Sequence, residues 1–297
     1  MRISPLLLLF AAASVSGSPR TQEAAVVHFR RTIQLTEAAA LGEAHMTLLW
    51  KIVHEYRVEV STPRADRRVL KLEITRVHGW MAHGEEGEKA RFDSRAPRVG
   101  PARGLVETVG KRFEIEVDAR GRAQAVRGHA AFAMRLPEAK LLLHYEAPAP
   151  TDANLLAYWQ QLFPGSPCEA TREAPSQLQA SAWLYGHLIP IEGRVTWKTS
   201  PDGEWRAERE GKLGGRSETD GPMVKEKDRR PFAIEEGRHR GAVRLAGQGL
   251  PLEVSTRIEA QGIHGLTICF NLGGPPLADD VRLVHETRFE RVPGDQR

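Results

Sequence analysis

The chain is 297 residues long, and its 42 Lys and Arg against 38 Asp and Glu give a formal net charge of +4. Basic and acidic residues alternate along it, so the pI near 9.2 reflects a mixed, solvated surface and excludes the clustered basic footprint of a nucleic-acid binder. The length suits one large β domain or two smaller ones.

Met1-Arg2 is followed by an apolar run from Ile3 to Val15 and then by the small residues Ser16, Gly17 and Ser18. One positive charge, a short apolar stretch and a small-residue exit are the parts of a secretory signal peptide. The run is shorter than the ~20 apolar residues that span a bilayer. Residues 1–18 are therefore read as a signal peptide, with cleavage after Gly17, and the mature protein is expected in the periplasm or outside the cell. No lipid-anchoring cysteine follows the run, and charges interrupt every later apolar stretch, so the mature chain is expected to be untethered and without a membrane span.

From Trp50 through Ile52, Tyr56, Val58 and Val60, apolar residues alternate with Lys51, Glu55, Arg57 and Glu59, the period of a half-buried strand. Leu70, Leu72 and Ile74 repeat the pattern, as do Phe113, Ile115 and Val117. The turn signal Asp118-Ala119-Arg120-Gly121 then precedes Ala123. A helix is expected over Ala130 to His144, interrupted by Pro137. A second begins at the N-cap pair Thr151-Asp152, carries Leu155, Leu156, Trp159, Leu162 and Phe163, and stops at Pro164-Gly165.

Alternation resumes at Val195 and Trp197, turns at Ser200-Pro201-Asp202-Gly203, and continues with Trp205 and Ala207. Leu250, Leu252, Val254 and Ile258 form a further strand, and Val281 through Leu283 to Phe289 the last. The tract from Glu208 to Arg230 is too polar to bury and reads as a mobile loop or weak hairpin. The fold expected is mainly β: curved antiparallel sheets with one central helical insertion. Two arrangements fit, a sandwich-like pair of sheets and a cupped sheet whose concave side the helix partly covers. A division into residues 19–150 and 151–297 and a single continuous domain are equally compatible with the pattern.

Phe92-Asp93-Ser94-Arg95, the segment from Leu105 to Asp118, and Gly121 with Val126-Arg127-Gly128 together resemble an uncharacterised family of exported bacterial β-rich proteins that carry a domain of unknown function. The helix end Leu162-Phe163-Pro164 and the later Trp183 also match its pattern, whereas Ala180-Ser181-Ala182 stands where the family has Gly-Asp-Ser. The resemblance covers about half the chain, implies shape rather than chemistry, and transfers no catalytic residue.

The chemistry-bearing residues are scattered. His78 and His83 with Glu85, Glu86 and Glu88 form the closest metal-like group, but the run is punctuated by Gly79, Gly84 and Gly87 and reads as a polar hairpin tip. His285-Glu286 lacks the second histidine of a metalloprotease motif, and on a strand its two side chains face opposite sides. His144-Tyr145-Glu146 places a His and a Glu on one strand face. Gly211-Lys212-Leu213-Gly214-Gly215 lacks the ending of a phosphate loop and reads as flexible. The six tryptophans are read as core-facing. Cys168 and Cys269 either form one disulfide in an oxidising compartment or remain separate buried thiols.

No catalytic, metal or cofactor residue is assigned, and no cofactor is expected. The leading reading is an exported, non-catalytic binding protein of the bacterial envelope, with an apolar or lipidic molecule as the natural occupant of a cupped sheet and an apolar small molecule or an envelope protein as its partner. A secreted hydrolase with a His/carboxylate site and a structural or assembly partner are the alternatives.

Overall fold

The computed structural model of the chain describes residues 25–41, 44–61, 66–84, 87–96, 102–133, 151–167, 175–184, 187–216, 233–264 and 279–293. Among these residues twelve strands follow one another: β1 Ala25–Leu41, β2 Ala44–Val60, β3 Arg67–His83, β4 Ala90–Asp93, β5 Arg112–Asp118, β6 Ala123–Arg127, β7 Ser176–Leu184, β8 His187–Thr199, β9 Trp205–Arg216, β10 Ala233–Leu245, β11 Pro251–His264 and β12 Asp279–Val292. The helices are α1 Arg103–Val106, α2 Ala130–Ala133 and α3 Asp152–Leu162.

All twelve strands belong to one sheet in the order β6-β5-β3-β2-β1-β12-β11-β10-β9-β8-β7, with the short β4 paired to β3. Among the described residues every strand pair is antiparallel. The order is that of two meanders, β1 to β6 and β7 to β12, joined where β1 pairs β12. The sheet is thus shared across the division at residue 150, and the sandwich-like alternative gives way to a single sheet that is open between β6 and β7.

The helix α3 sits in that opening. Thr151 caps it, its side chain accepting from the Asn154 backbone N–H while Asn154 Oδ1 accepts from the Thr151 N–H. Its C-terminal half ties to both free edges: Gln160 Nε2 donates to Ala123 O at 3.0 Å on the β6 side, and Gln161 Nε2 donates to Ser181 O on the β7 side. Ala123 N in turn donates to Phe163 O at 3.0 Å, and Arg122 bridges Pro164. The helix therefore supplies polar groups to the two edges that do not pair with each other.

Alternation decides which face each residue takes. On β1, Phe29, Ile33 and Leu35 are buried while Arg30 and Thr32 are half-buried and Gln34 is exposed. The buried face wraps α3. Trp159 stands at its centre, 0 % exposed, with ring centroids of Phe113 at 5.2 Å, Tyr158 at 5.5 Å, Phe163 at 5.9 Å, Phe289 at 6.2 Å and Tyr56 at 6.4 Å. These aromatics come from β2, β5 and β12 as well as from the helix, so the sheet is concave toward α3.

Several expected elements differ. The Glu208–Arg230 tract begins as strand, since β9 runs to Arg216, and the rest of the tract lies outside the described residues. Its glycines serve close packing: Gly211 pairs Gly193 across β8 and β9, and a Cβ on Gly193 would come within 2.0 Å of Glu210 O. The hairpin expected over His78 to Glu88 is present as β3–β4, but His78 to His83 belong to its strand β3, whose Gly79 lets Lys51 O approach to 1.9 Å of the place a Cβ would occupy, and the connection comes after His83. Of the helix expected from Ala130 to His144, Ala130–Ala133 is helical, and 134–150 lie outside the described residues.

Candidate functional site

The inner face carries polar groups among its aromatics. Arg31 of β1 is fully buried; its Nη1 donates to Tyr158 Oη at 2.6 Å, and its Nη2 lies 3.2 Å from His54 Nδ1. Arg209 of β9 donates through Nη1 to Gln161 O at 3.0 Å, a carbonyl in the last turn of α3 that suits a cation. Burial lowers the Arg209 guanidinium to about 10. The two arginines thus hold the helix from β1 and from β9.

The buried histidines are kept neutral. Burial, then the Arg31 charge, lowers His129 to about 3, and its Nδ1 accepts the Trp159 Nε1–H at 3.0 Å. Burial lowers His187 to about 4; burial and then Arg209 lower His239 to about 4. His54 is also driven well down by burial and then by Arg31. The small cavity between Tyr158, Thr256, His285 and Thr287 has a volume of about 10 Å³, no more than a single water molecule occupies. The inner face therefore holds a helix, with this small void beside it.

The large hollow, about 1610 Å³, lies on the other face. Its lining follows the sheet register. One row crosses β8 to β12 as Arg194, Glu210, Arg240, Arg257 and Glu286. It continues through β1 to β4 as Gln34, Lys51, Trp80 and Arg91. Two residues along each strand, a second row places Ala242, Ser255, Arg288, Thr32 and Val53 in the middle, small side chains on either side of one arginine. Because nine strands each contribute these same two rows, the hollow is a trough running across the strands, eight inter-strand steps or roughly 38 Å along the sheet.

Charge in the trough is unevenly compensated. At the β3–β4 side Arg76 Nη2 pairs Asp93 at 2.5 Å and its Nη1 pairs Glu55 at 3.4 Å, and the Arg76 hydrogen bond lowers the Asp93 carboxyl to about 2. Arg257 pairs Glu259 and Glu286, and Arg288 pairs Glu253 and Glu290. Trp80 is half-buried with Lys89 Nζ 4.6 Å above its ring.

The residues singled out in the sequence do not converge. His78 faces the trough, 3.5 Å from Glu55, while His83 is five residues further along the same strand, about 17 Å away. Among the described residues no three His, Cys, Asp or Glu are grouped to hold a metal. His285 is buried on the inner face, and Glu286 lies on the trough face. His144-Tyr145-Glu146, the signal-peptide residues 1–18, Cys168 and Cys269 lie outside the described residues. Of the six tryptophans, Trp159, Trp183, Trp197 and Trp205 are buried in the core and Trp50 packs against it, whereas Trp80 lines the trough. The transverse rows were not visible in the sequence, because their members are scattered over more than 200 positions and only register aligns them.

No protein-family model matches the sequence, and no curated protein sequence matches it. A structure of lipovitellin, determined for its lipid-protein interactions, matches in fold with a TM-score of 0.50 at 10% identity, covering 90% of this chain and 25% of that one. The chain thus spans about a quarter of the length of the lipovitellin chain. DynF from the dynemicin biosynthesis pathway of Micromonospora chersina has a TM-score of 0.22 at 6% identity, covering 93% of this chain and 84% of its own. An outer membrane channel of Pseudomonas putida F1 has a TM-score of 0.25 at 9% identity, covering 92% and 99%. The last two scores are too low to bear on the fold, and the first bears on the fold alone.

Proposed function

We propose that this chain is an exported, non-catalytic binding protein of the bacterial envelope, periplasmic or extracellular, and that its ligand lies in the transverse trough. The leader pattern of residues 1–18 supports export. Among the described residues no helix is long and apolar enough to cross a membrane. The observation that carries the reading is the contrast in space: the aromatic concavity is occupied by the chain's own α3, and the opposite face offers about 1610 Å³. That volume exceeds the roughly 300–1,000 Å³ of common small-molecule sites, as an elongated ligand requires.

The trough suits an amphiphile better than a purely apolar molecule. Val53 and Ala242 supply apolar surface, and the flanking row supplies charge. This keeps a lipidic ligand within the reading while placing it outside the cup.

The test is a native mass spectrum of the protein purified from a bacterial envelope, beside the same preparation of Ser255→Trp, which fills the middle of the trough. A discrete mass carried by the wild type and absent from the variant is expected. Bare protein in both samples, or an adduct that Ser255→Trp retains, would sink the assignment to the trough.

A further inference from the structure

The first trough row holds five cations and two carboxylates, and its surplus sits at its two ends. In the middle, Arg257 is neutralised by Glu286 and Glu259. Toward one end, Arg194 and Arg240 flank Glu210 in register, yet neither forms an ion pair or side-chain hydrogen bond among the described residues. Toward the other, Lys51 and Arg91 flank Trp80, and neither of these has such a partner. The row on the far side of the trough floor is different: Arg30 pairs Glu290, Arg76 pairs Glu55, and Arg244 pairs Glu204 and Glu253. Along the first row the net positive charge thus sits at its two ends, Arg194 and Arg240 about Glu210 with Glu259 within Coulombic reach of Arg240, and Lys51 and Arg91 about Trp80. Lys198 is a cation of the far row outside these ion pairs.

Cations left unpaired around a recess attract anions, and a guanidinium pair is suited to a carboxylate or phosphate. From Arg240 on β10 to Lys51 on β2 there are four inter-strand steps, about 19 Å along the sheet. Between them the floor is made by Ala242, Ser255, Arg288, Thr32 and Val53, and the Arg288 charge at its centre is paired with Glu253 and Glu290. We infer that the trough takes an elongated molecule with an anionic group, carboxylate or phosphate, at each end, one held by Arg194 and Arg240 and the other by Lys51 and Arg91. This rests on the binding-protein reading above and adds the ligand's chemical class. The neutral middle separates it from a uniformly charged strand, and the recess from a flat bilayer surface.

The probe is hexadecanedioate, whose two carboxylates are separated by a comparable reach, compared with hexadecanoate and the uncharged hexadecanediol by isothermal titration calorimetry. The work is done in about 0.15 M salt, where long-range attraction is screened beyond ~8 Å. Each exposed ion pair contributes a factor of up to about five, so the dianion should bind roughly tenfold more tightly than the monoanion. Arg194→Gln with Arg240→Gln, or Lys51→Gln with Arg91→Gln, should each bring the dianion down to the monoanion's affinity. Thermal melts of both double variants show that the fold persists.

Equal affinity for dianion and monoanion, or a ratio that neither double variant changes, overturns the two-ended assignment. Binding of hexadecanediol as tight as that of the dianion, blocked by Ser255→Trp, overturns the anionic class while leaving a ligand in the trough. Sedimentation with phosphatidylglycerol vesicles without any binding of hexadecanedioate means surface attachment and overturns it as well. If none of the three probes binds and no vesicle sediments the protein, the inference is also overturned, and the binding-protein reading is judged by its native mass spectrum alone.

Discussion

The two faces of this sheet are made by neighbouring residues of the same strands, Phe29 beside Arg30 and Thr287 beside Arg288, yet they do opposite things. The inner face is filled: it wraps a helix, buries its cations against that helix, and keeps its histidines neutral. The outer face is recessed and charged, with Arg30, Arg76 and Arg244 paired along one wall and Arg257 paired between the cations at the two ends of the other. The difference teaches that curvature toward a helix does not by itself make a ligand site; here the open volume arises across the strands on the other side.

If this division is right, disturbance of the inner face should change stability, and disturbance of the outer face should change binding. Acid is the largest expected disturbance. His129, His187 and His239 have folded pKa values of about 3, 4 and 4, below the ordinary 6.5, so the unfolded chain takes up protons first as pH falls. Their contribution is complete above the unfolded value and is lost as pH drops from about 6.5 toward 4, by about 1.4 kcal/mol per pH unit for each histidine. Three such groups together rival the ~5–15 kcal/mol stability of an ordinary domain. Circular dichroism melts should show Tm falling steeply below about pH 6, with acid unfolding near pH 4; a level Tm over that window would remove the neutral histidines from the account.

Next in size is Trp159→Ala, which empties the centre of the aromatic cluster and should cost about 3–5 kcal/mol in urea unfolding. Tyr158→Phe removes the acceptor of a buried guanidinium and should cost about 1.5–3 kcal/mol without altering ligand affinity. The smallest stability effect belongs to the trough: Arg194→Gln with Arg240→Gln should leave unfolding free energy within about 0.5 kcal/mol while weakening dianion binding. A trough variant that destabilised as Tyr158→Phe does would erase the contrast between the faces.

Where alternation was regular, the strands were legible: β2 and β5 carry an apolar residue at nearly every second position, and β12 keeps Val281, Leu283 and Phe289 although His285 and Thr287 fall between them. Two of those not anticipated lack that signal for physical reasons, and a third was legible only at its start. β1 turns Arg31 and Glu37 inward and β10 turns Gly237, His239 and Gly241 inward, while β9, anticipated at Trp205 and Ala207, turns Arg209 and Gly211 inward beyond them, so these inner positions read as polar or empty. The capping pair Thr151-Asp152 and the stop at Pro164-Gly165 were local, and α3 follows them closely. Its partners were not local: Gln160 and Gln161 reach edges separated by the whole sheet. The trough had no sequence signature, since Arg194 and Arg91 become members of one row only through eight successive registers.

The β1–β12 pairing has a consequence for the order of assembly. It sets His28 opposite Val292, a separation of 264 residues (292 − 28), whereas the other neighbours within each meander are mostly joined by short connections. Each meander can begin to form from local contacts, but the seam that joins them closes a loop of nearly the entire chain and is entropically the slowest to find. Until β12 has arrived, the inner face of β1, with Phe29, Ile33 and Leu35, has one flank without its partner. The native sheet is therefore complete only once β1 and β12, from opposite ends of the described residues, have met.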